Sequence, residues 1–358
     1  MSLDPYRARR DPARTPEPVP AWDVPDVVAD HTGDAQDDRG DTFVVQEHHA
    51  TALHWDVRLE RDGVLVSWAV PKGLPLDPAV NHLAKQTEDH PLAYATFGGD
   101  IPRGEYGGGH VSVWDTGTYE LEKWRDGEVK VVLHGRRVDG RYVFFRTGGR
   151  DWMVHRMDGR PPGWEPLPRG LQPALATPGP LPPDDDAWSC EVAWGGLRVL
   201  VAVEGGRLTL PGAWPELRAM GLQLGSRQVL LDGEIVVLDA EGRPDPERLA
   251  QRTASEKPGA RLLREAPVQL LVSDLLHLEG VPLLDRPHDE RRAALEGLEL
   301  HGPHWQVPPA FVGSGSAVAA AARAQGLPGV LAKRRRSTYR PGAQSPDWVT
   351  STWAGSSG

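Results

Sequence analysis

The chain has 358 residues, a formal net charge of −10 and a single cysteine, Cys190. Its length exceeds the usual size of one domain, so two domains with connecting segments are expected. The acidic balance argues against a uniformly cationic nucleic-acid binder, although local patches can still engage phosphate. One cysteine excludes an internal disulfide, and no apolar run suggests a signal peptide or membrane span, so we expect a cytoplasmic protein without a membrane partner.

The N-terminal part of the chain divides into a polar segment and a strand-rich segment. Residues 1–40 mix Asp, Arg and Pro with few large apolar side chains, a composition that predicts a disordered tail. From Thr42 onward, short alternating runs between Gly and Asp turns predict antiparallel strands. Residues 41–160 are therefore predicted to form an antiparallel β-barrel, with strands at Thr42–Gln46, Leu53–Leu59, Val64–Val70, His110–Val113, Val129–Leu133 and Tyr142–Arg146.

The C-terminal part has a different pattern. Alternating Pro and Gly over residues 161–187 predict a semi-rigid linker. Beyond it, Glu191–Val203 and Gln228–Leu238 have the composition of buried strands, whereas Asp289–Leu298 and Ala317–Gln325 have helical spacing. Residues 188–353 are therefore predicted to form an α/β domain, followed by a flexible tail at 354–358. The fold class is an α+β multidomain chain with an N-terminal barrel.

The densest group of chemically able side chains lies on the first predicted strands and comprises Gln46, His48, His49, His54, Asp56 and Arg58. Residues two apart in a strand share a face, so His54, Asp56 and Arg58 are expected to project together. Two imidazoles and a carboxylate suit Mn²⁺, Fe²⁺ or Zn²⁺ with positions left for substrate and water. An arginine on the same face suits phosphate, which favours phosphoryl chemistry. A second polar group, Glu88, Asp89, His90 and Tyr94, precedes a glycine-rich loop.

Three stretches carry a resemblance to a known family: QEHHATALHWDVRLERDGVLVSWAVPKG at 46–73, TEDHPLAYATFGGDIPRGEYGGG at 87–109 and VSVWDTGTYE at 111–120. They resemble the signature segments of LigD-type 3′-phosphoesterases, β-barrel enzymes that hold Mn²⁺ in a surface groove. That family removes a 3′-phosphate or a terminal ribonucleotide from DNA ends and leaves a 3′-OH. The resemblance implies a Mn²⁺ cofactor, with other divalent metals as alternatives, and primer-template DNA 3′ ends as substrate.

Residue roles follow from the same resemblance. The implied metal ligands are His48, His54 and Asp56, and the implied catalytic residues are His54, Arg58, His90 and Tyr94. Implied substrate contacts are Gln46, Arg58, Lys72 and His82. The metal would polarise a phosphate oxygen, Arg58 would offset developing charge, and His90 would donate a proton to the leaving oxygen. The chain departs from the family pattern at His49, His82 and Arg103, and a neutral imidazole at position 82 would weaken handling of a terminal phosphate.

Residues 174–353 resemble the nucleotidyltransferase (adenylation) domain of ATP-dependent DNA ligases. The resemblance is carried by LATPGPLPPDDDAWSCEVAWGGLR, LDGEIVVLDAEGRPD, SDLLHLEGVPLLDRP and GLPGVLAKRRRSTYRPGAQSPDW. Ala193 occupies the position of the ligase nucleophilic lysine, so no covalent adenylate can form there by the family route. Further family positions are changed at Gly195, Pro328, Thr350 and Thr352. ATP is therefore not expected to be used, and retained scaffold is the favoured interpretation of Arg198, Asp232, Glu234 and Lys333.

Several alternatives stay open at this point. The same ligand set serves non-haem iron oxygenases, and a non-catalytic scaffold that binds DNA ends or a repair partner is a further hypothesis. The basic run Lys333–Arg336, with Tyr339 and Arg340, would contact DNA backbone or form an ordinary solvated surface. By family analogy, a Ku-type protein and a separate polymerase or ligase are expected partners in bacterial end joining, at the nucleoid.

Overall fold

The computed structural model describes residues 2–21 and 41–353. The chain divides into two compact units, Met1–Pro162 and Gly163–Gly358, and each is described by itself. Within the described ranges, no helix combines the length and the apolar character needed to cross a bilayer. The predicted tail at 354–358 lies outside these ranges.

The strands of the first unit are β1 (Thr42–His49), β2 (Leu53–Arg61), β3 (Val64–Val70), β4 (Asn81–Gln86), β5 (His90–Pro91), β6 (Gly99–Ile101), β7 (Gly109–Arg125), β8 (Glu128–Gly135), β9 (Asp139–Gly148) and β10 (Asp151–Arg156). Eight of them pair in the order β1-β2-β3-β4-β10-β9-β8-β7, and β7 also pairs with β1, which closes the ring. All pairs in the ring are antiparallel. The predicted antiparallel barrel is confirmed.

Alternation along β2 sorts its side chains between two faces. Trp55, Val57 and Leu59 are buried in the apolar core with residues from the other ring strands. The intervening side chains, His54, Asp56 and Arg58, therefore share the opposite, outer face of the barrel. The prediction that these three residues project together is confirmed.

The prediction of a disordered tail over 1–40 is wrong for residues 2–21, and residues 22–40 lie outside the described ranges. A short helix, α1 (Asp4–Arg7), opens this N-terminal arm, which we define as residues 2–21. Leu3 joins the barrel core, and Tyr6 is fully buried beside Leu65 and Tyr94. Average composition misled the prediction, because two apolar anchors and buried ion pairs suffice to order a short segment that docks on an existing surface.

The second unit contains strands and helices in mixed order. Its strands are β11 (Leu175–Pro178), β12 (Trp188–Ala193), β13 (Leu197–Glu204), β14 (Arg207–Thr209), β15 (Val229–Val237), β16 (Val268–Leu278), β17 (Val281–Pro282), β18 (His301–Gly302), β19 (Trp305–Gln306), β20 (Phe311–Val312), β21 (Gly329–Arg334) and β22 (Gln344–Thr352). Its helices are α2 (Arg218–Leu224), α3 (Pro246–Thr253), α4 (Ala260–Glu265), α5 (His288–Glu296) and α6 (Gly315–Ala324). Short 3₁₀ turns cover Leu92–Thr96 in the first unit and Pro215–Leu217 in the second.

Two sheets organise the second unit. One has the strand order β11-β22-β21-β12-β20, and the other has the order β14-β13-β15-β16-β19-β18, with β17 beside β16. Parallel and antiparallel pairs occur in both sheets. The predicted combination of a barrel with a second domain of strands and helices is confirmed.

Two predictions about local structure in this unit are wrong. Leu175–Pro178, assigned to the linker, forms the edge strand β11, where a terminal proline is tolerated because an edge strand leaves some N–H positions unused. Glu191–Val203, predicted as one strand, is broken into β12 and β13. The break falls at Gly195, whose φ of +71° turns the chain and is strained for side-chain-bearing residues.

Candidate metal centre

The β1–β2 hairpin positions the predicted metal ligands. Only residues 50–52 separate the two strands, and the resulting register places His48 opposite His54 and Gln46 opposite Asp56. Residues directly opposite one another in an antiparallel pair lie on the same face. The hairpin therefore gathers all four side chains on the outer face that also carries Arg58.

The three predicted ligands converge on a common centre. Nδ1 of His48 lies 3.8 Å from Oδ2 of Asp56, and Nε2 of His54 lies 3.7 Å from Oδ1 of the same carboxylate. One ligand atom from each residue falls within 4.8 Å of the others. In the described ranges, this is the one such group of three or more His, Cys, Asp or Glu side chains.

The donor chemistry of the three residues fits a divalent metal ion. Nδ1 of His54 lies 3.0 Å from the carbonyl oxygen of Ala52, which suits a tautomer with the proton on Nδ1 and a lone pair on Nε2. Nε2 of His48 is buried without a hydrogen-bond partner. Burial raises the pKa of Asp56, but Arg58 and the two imidazoles lower it by more, so the pKa of this carboxyl lies well below its usual range. Asp56 is therefore an anionic ligand at neutral pH.

Arg58 links this centre to the residues around it. Its side chain is almost fully buried and donates from Nη2 to Asp56 at 2.9 Å, from Nε to Gln46 at 2.7 Å and from Nη1 to Ser67 at 2.9 Å. Nη1 also lies 2.9 Å from Nδ1 of His90. The guanidinium of an arginine carries five N–H groups. Among the described residues, these contacts account for all of them except one on Nη2.

His90 and Tyr94 cover the guanidinium from the side opposite the barrel. β5 pairs with β3 and brings His90 against Arg58, while the Tyr94 ring centroid lies 4.8 Å from the Arg58 Cζ atom. Burial and the charges of Arg58 and Arg10 hold the pKa of His90 well below its usual range. Burial also raises the pKa of Tyr94, so both residues are neutral at neutral pH.

The remaining predicted substrate contacts occupy different environments. Gln46 is fully buried, and its Nε2 donates to the carbonyl oxygens of Tyr94 and Phe97 at 2.9 Å each. Nδ1 of His82, on β4, lies 2.7 Å from the carbonyl oxygen of Gly73. Lys72 is exposed in the turn after β3. Gln46 therefore belongs to the group of residues around Arg58. Contact of Lys72 and His82 with the substrate stays a prediction.

The N-terminal arm contributes residues that the sequence analysis missed. The Tyr6 ring packs edge-on against His90 at 5.0 Å between centroids. The Arg10 guanidinium lies 3.8 Å above the Tyr6 ring and bonds to Glu17 at 2.8 Å and Glu88 at 3.1 Å. Arg10 follows α1, which ends at Arg7, so no helical spacing in the sequence signalled its contact with Tyr6.

The same arm also fixes Tyr94. The Tyr94 hydroxyl donates to the buried Glu17 carboxylate at 3.1 Å, and Thr15 donates to the other carboxylate oxygen at 2.7 Å. Glu17 therefore contacts both Arg10 and Tyr94. Arg10 in turn contacts both Glu17 and Glu88, and Glu88 is close to His90 in the chain. We define Arg10 as a positioning residue, because it reaches the candidate centre only through other side chains.

We expect Arg10→Ala to lower the phosphoesterase turnover that the family resemblance implies about 10-fold to 100-fold, because Glu17 and Glu88 lose their shared cation and His90 and Tyr94 shift. The matched control is Arg14→Ala, which removes an exposed arginine from the same arm. Steady-state rates on a 3′-phosphorylated primer-template would measure the effect. Equal rates for the two variants would show that the arm does not position the site.

In the second unit, the residues that resemble ligase nucleotide contacts are engaged with one another. Lys333 is buried and forms an ion pair with Glu191. Arg198 bonds to Asp232 at 2.5 Å, and the Tyr339 hydroxyl donates to the same carboxylate at 2.7 Å. Ala193, at the end of β12, presents only a methyl group. The polar groups are therefore satisfied within the unit.

The basic run is also largely neutralised. Arg334 pairs with Asp347 at 2.9 Å and lies over the Trp188 ring, and Arg335 lies 3.4 Å from Asp289. Lys333 is buried, so it offers no charge to the surface. Arg336 and Arg340 are exposed, so contact of the run with the DNA backbone stays a prediction that rests on these two residues.

The fold and the site together define a two-domain chain in which a β-barrel with a candidate metal centre precedes a two-sheet unit. The family models described as DNA ligase D 3′-phosphoesterase domain and ATP dependent DNA ligase domain match residues 46–146 and 214–350, respectively. The chain belongs to the LigD-type family, with a phosphoesterase domain followed by a ligase domain.

Curated relatives support the same assignment. The chain is 43% identical over 357 residues to the multifunctional non-homologous end joining DNA repair protein LigD of Mycobacterium tuberculosis, a match that covers 96% of this chain and 44% of the relative. The LigD protein of Pseudomonas aeruginosa is 35% identical over 408 residues, covering 96% of this chain and 46% of the relative. The chain therefore spans less than half the length of these relatives.

A solved structure of the ligase domain from Mycobacterium tuberculosis LigD is 33% identical, with a TM-score of 0.42, and the match covers 51% of this chain and 59% of that one.

Proposed function

We propose that the chain is a Mn²⁺-dependent phosphoesterase that processes DNA 3′ ends, removing 3′-phosphates and terminal ribonucleotides during bacterial double-strand-break repair by end joining. The convergence of His48, His54 and Asp56 beside the buried Arg58 carries this proposal. The second part of the proposal is that the ligase-like domain lacks the nucleotidyl lysine and does not use ATP.

The three converging side chains would hold the metal. When bound, Mn²⁺ supplies a Lewis acid for a phosphate oxygen and lowers the pKa of a water ligand. His54 is held in orientation by its contact with the Ala52 carbonyl, and Asp56 by its bond from Arg58. Hydrogen-bond partners of metal-binding side chains fix the tautomer and the orientation of those side chains.

Arg58 and His90 would act on the phosphoryl group. The remaining Nη2 N–H of Arg58 lies on the side that already faces Asp56, so a phosphoryl oxygen near the centre can accept from it. Nδ1 of His90 lies 2.9 Å from the Arg58 donor Nη1 and 2.8 Å from the Glu88 carbonyl oxygen. In the tautomer that accepts from Arg58, the imidazole proton is on Nε2, where it can be donated to the leaving oxygen. Tyr94 stacks on Arg58 and limits the positions that the guanidinium can adopt.

The proposed substrates and partners follow from the family. The Mycobacterium tuberculosis relative is named for end joining and DNA repair, so we infer DNA 3′ ends of primer-template form as substrate for this chain. A Ku-type protein and a separate polymerase or ligase would act with it at the nucleoid in the cytoplasm. The ligase-like domain would position the DNA end or one of these partners.

The decisive test is phosphate release from a 3′-phosphorylated primer-template by the full chain. We expect release with Mn²⁺, loss of release with a chelator, and recovery when Mn²⁺ is restored. Iron-dependent oxygen consumption without nucleic acid would instead support an oxygenase, for which no arginine fork beside the ligands is needed. DNA binding without any product would support the non-catalytic scaffold.

We expect no protein adenylate when the chain is incubated with labelled ATP and a divalent metal. Ala193 has no nucleophile, and the charge of the buried Lys333 is neutralised by Glu191. Ala193→Lys alone is also expected to stay unlabelled, because the family side chains are still missing at Gly195, Pro328, Thr350 and Thr352. Label that survives denaturation of the protein would contradict this part of the proposal.

A further inference from the structure

A pocket of about 410 Å³ lies in the second unit, and its lining does not include the ion-paired residues Glu191, Arg198, Asp232 and Lys333. The turn between β12 and β13, the segment after β15 and the connection from α6 to β21 enclose it. Its lining includes Trp194, Trp353, Leu249, Pro328 and Arg323. None of the residues with proposed phosphoesterase roles belongs to this unit, so the pocket requires a separate explanation.

The pocket is aromatic and apolar on its walls and cationic at one edge. Trp194 and Trp353 are both partly exposed, and the Arg323 guanidinium lies 4.4 Å from the Trp353 ring centroid. Arg323 is exposed and, within residues 41–353, forms no ion pair. A planar aromatic ligand could therefore stack on the Trp194 indole while its phosphate meets Arg323, for which the described part of the chain supplies no carboxylate partner.

Arg243 and the carboxylates around it on the rim of the pocket are already paired. Arg243 pairs with Asp239 at 2.9 Å and with Glu241 at 2.9 Å. The Asp245 carboxylate caps α3 by accepting from the Arg248 amide at 2.9 Å. With Arg248, which pairs with Asp245, these side chains carry two positive and three negative charges, so a neutral planar group is favoured over a phosphate at this part of the pocket.

Two positions that differ from the ligase pattern form part of the lining. At Gly195 a Cβ atom would point towards Pro328, whose Cγ would be 3.8 Å away. By the family resemblance these positions hold an aspartate and a glutamate, and here they hold a hydrogen and a proline ring. The change replaces two carboxylates with apolar surface, which removes repulsion towards a nucleic-acid phosphate.

We propose that this pocket binds an unpaired nucleobase of a DNA end by stacking, with Arg323 on the adjacent phosphate. The volume accommodates a base with part of its sugar, and Trp and Arg are the side chains that stack with bases irrespective of sequence. This inference goes beyond the phosphoesterase function and does not depend on the metal centre.

The test uses the full chain and two labelled duplexes with the same single-stranded overhang length, one with bases and one with abasic spacers. The two carry equal phosphate charge, so fluorescence anisotropy at fixed salt isolates the contribution of the bases. We expect the base-containing overhang to bind about tenfold more tightly, and Trp194→Leu to abolish this preference. Equal affinity of the wild-type chain for the two duplexes would overturn the proposal. That result would also be expected if the ligand of the pocket were a polypeptide.

Arg323→Ala is the second variant, because it removes an exposed side chain and should leave folding intact. Its matched control is Arg334→Ala, since Arg334 also lies over a tryptophan, at 4.5 Å, but outside the pocket. We expect Arg323→Ala to weaken overhang binding at least threefold more than Arg334→Ala. Equal losses would refute the pocket. Mn²⁺-dependent phosphate release should be unchanged in all three variants, which separates this test from that of the proposed function.

Discussion

Asp56→Ala is expected to reduce Mn²⁺-dependent release of phosphate from a 3′-phosphorylated primer-template at least about 100-fold, because replacing even the outer partners of metal ligands costs 10-fold to 100-fold. The carboxylate stands between the two imidazoles, at 3.8 Å from His48 and 3.7 Å from His54, so its loss removes the only anionic ligand of the group. Product release under saturating substrate would measure the effect, and calorimetric Mn²⁺ titration would show weaker binding.

The control for this variant is Asp100→Ala. Asp100 also contacts a histidine, His110, at 2.8 Å on the same domain, but the pair is exposed and lies outside the converging group. We expect its activity and Mn²⁺ affinity to match those of the wild type. If Asp56→Ala kept full activity, the assignment of the metal centre would be wrong whatever the fold.

Arg58→Lys is expected to lower kcat/KM on the same substrate about 100-fold to 1,000-fold, the range found when a preorganised donor to a developing oxyanion is removed. A lysine keeps the charge but cannot bond to Asp56, Gln46 and Ser67 at once while it faces a phosphate. Comparison of kcat with KM would tell whether the loss falls on turnover or on binding.

Arg61→Lys provides the matched control, since Arg61 lies on the same strand and stacks on Trp124 at 5.3 Å with a partly exposed side chain. The same chemical change away from the centre should leave kcat/KM within about twofold of the wild type, as for most surface substitutions. Similar losses in the two variants would point to a general effect on β2 and not to phosphate recognition by Arg58.

The local part of the site was predictable because strand geometry is local. The alternation of Trp55 and Val57 with Asp56 and Arg58 fixes one face, and the three-residue loop at 50–52 fixes which β1 residues stand opposite. The family resemblance added His90 and Tyr94, whose approach to Arg58 depends on the pairing of β5 with β3 and has no signal in residue spacing.

Other features depend on distant parts of the chain. The arm docks through Tyr6, Arg10 and Glu17 onto residues about 80 positions later, and average composition cannot reveal such a match. The break between β12 and β13 depends on a single glycine within an otherwise strand-like run. The mixed sheets of the second unit pair strands as far apart as β11 and β22, beyond the reach of local pattern.

The docking of residues 2–21 beside His90 has a practical consequence for protein engineering. A fragment trimmed to the predicted barrel, 41–160, would lose Tyr6, Arg10 and Glu17 while retaining every strand of the ring and every predicted metal ligand. In such a fragment the His90 imidazole would lack the Tyr6 ring that packs against it. Low turnover would then be a result of the truncation. Fusion partners at the N-terminus carry the same hazard.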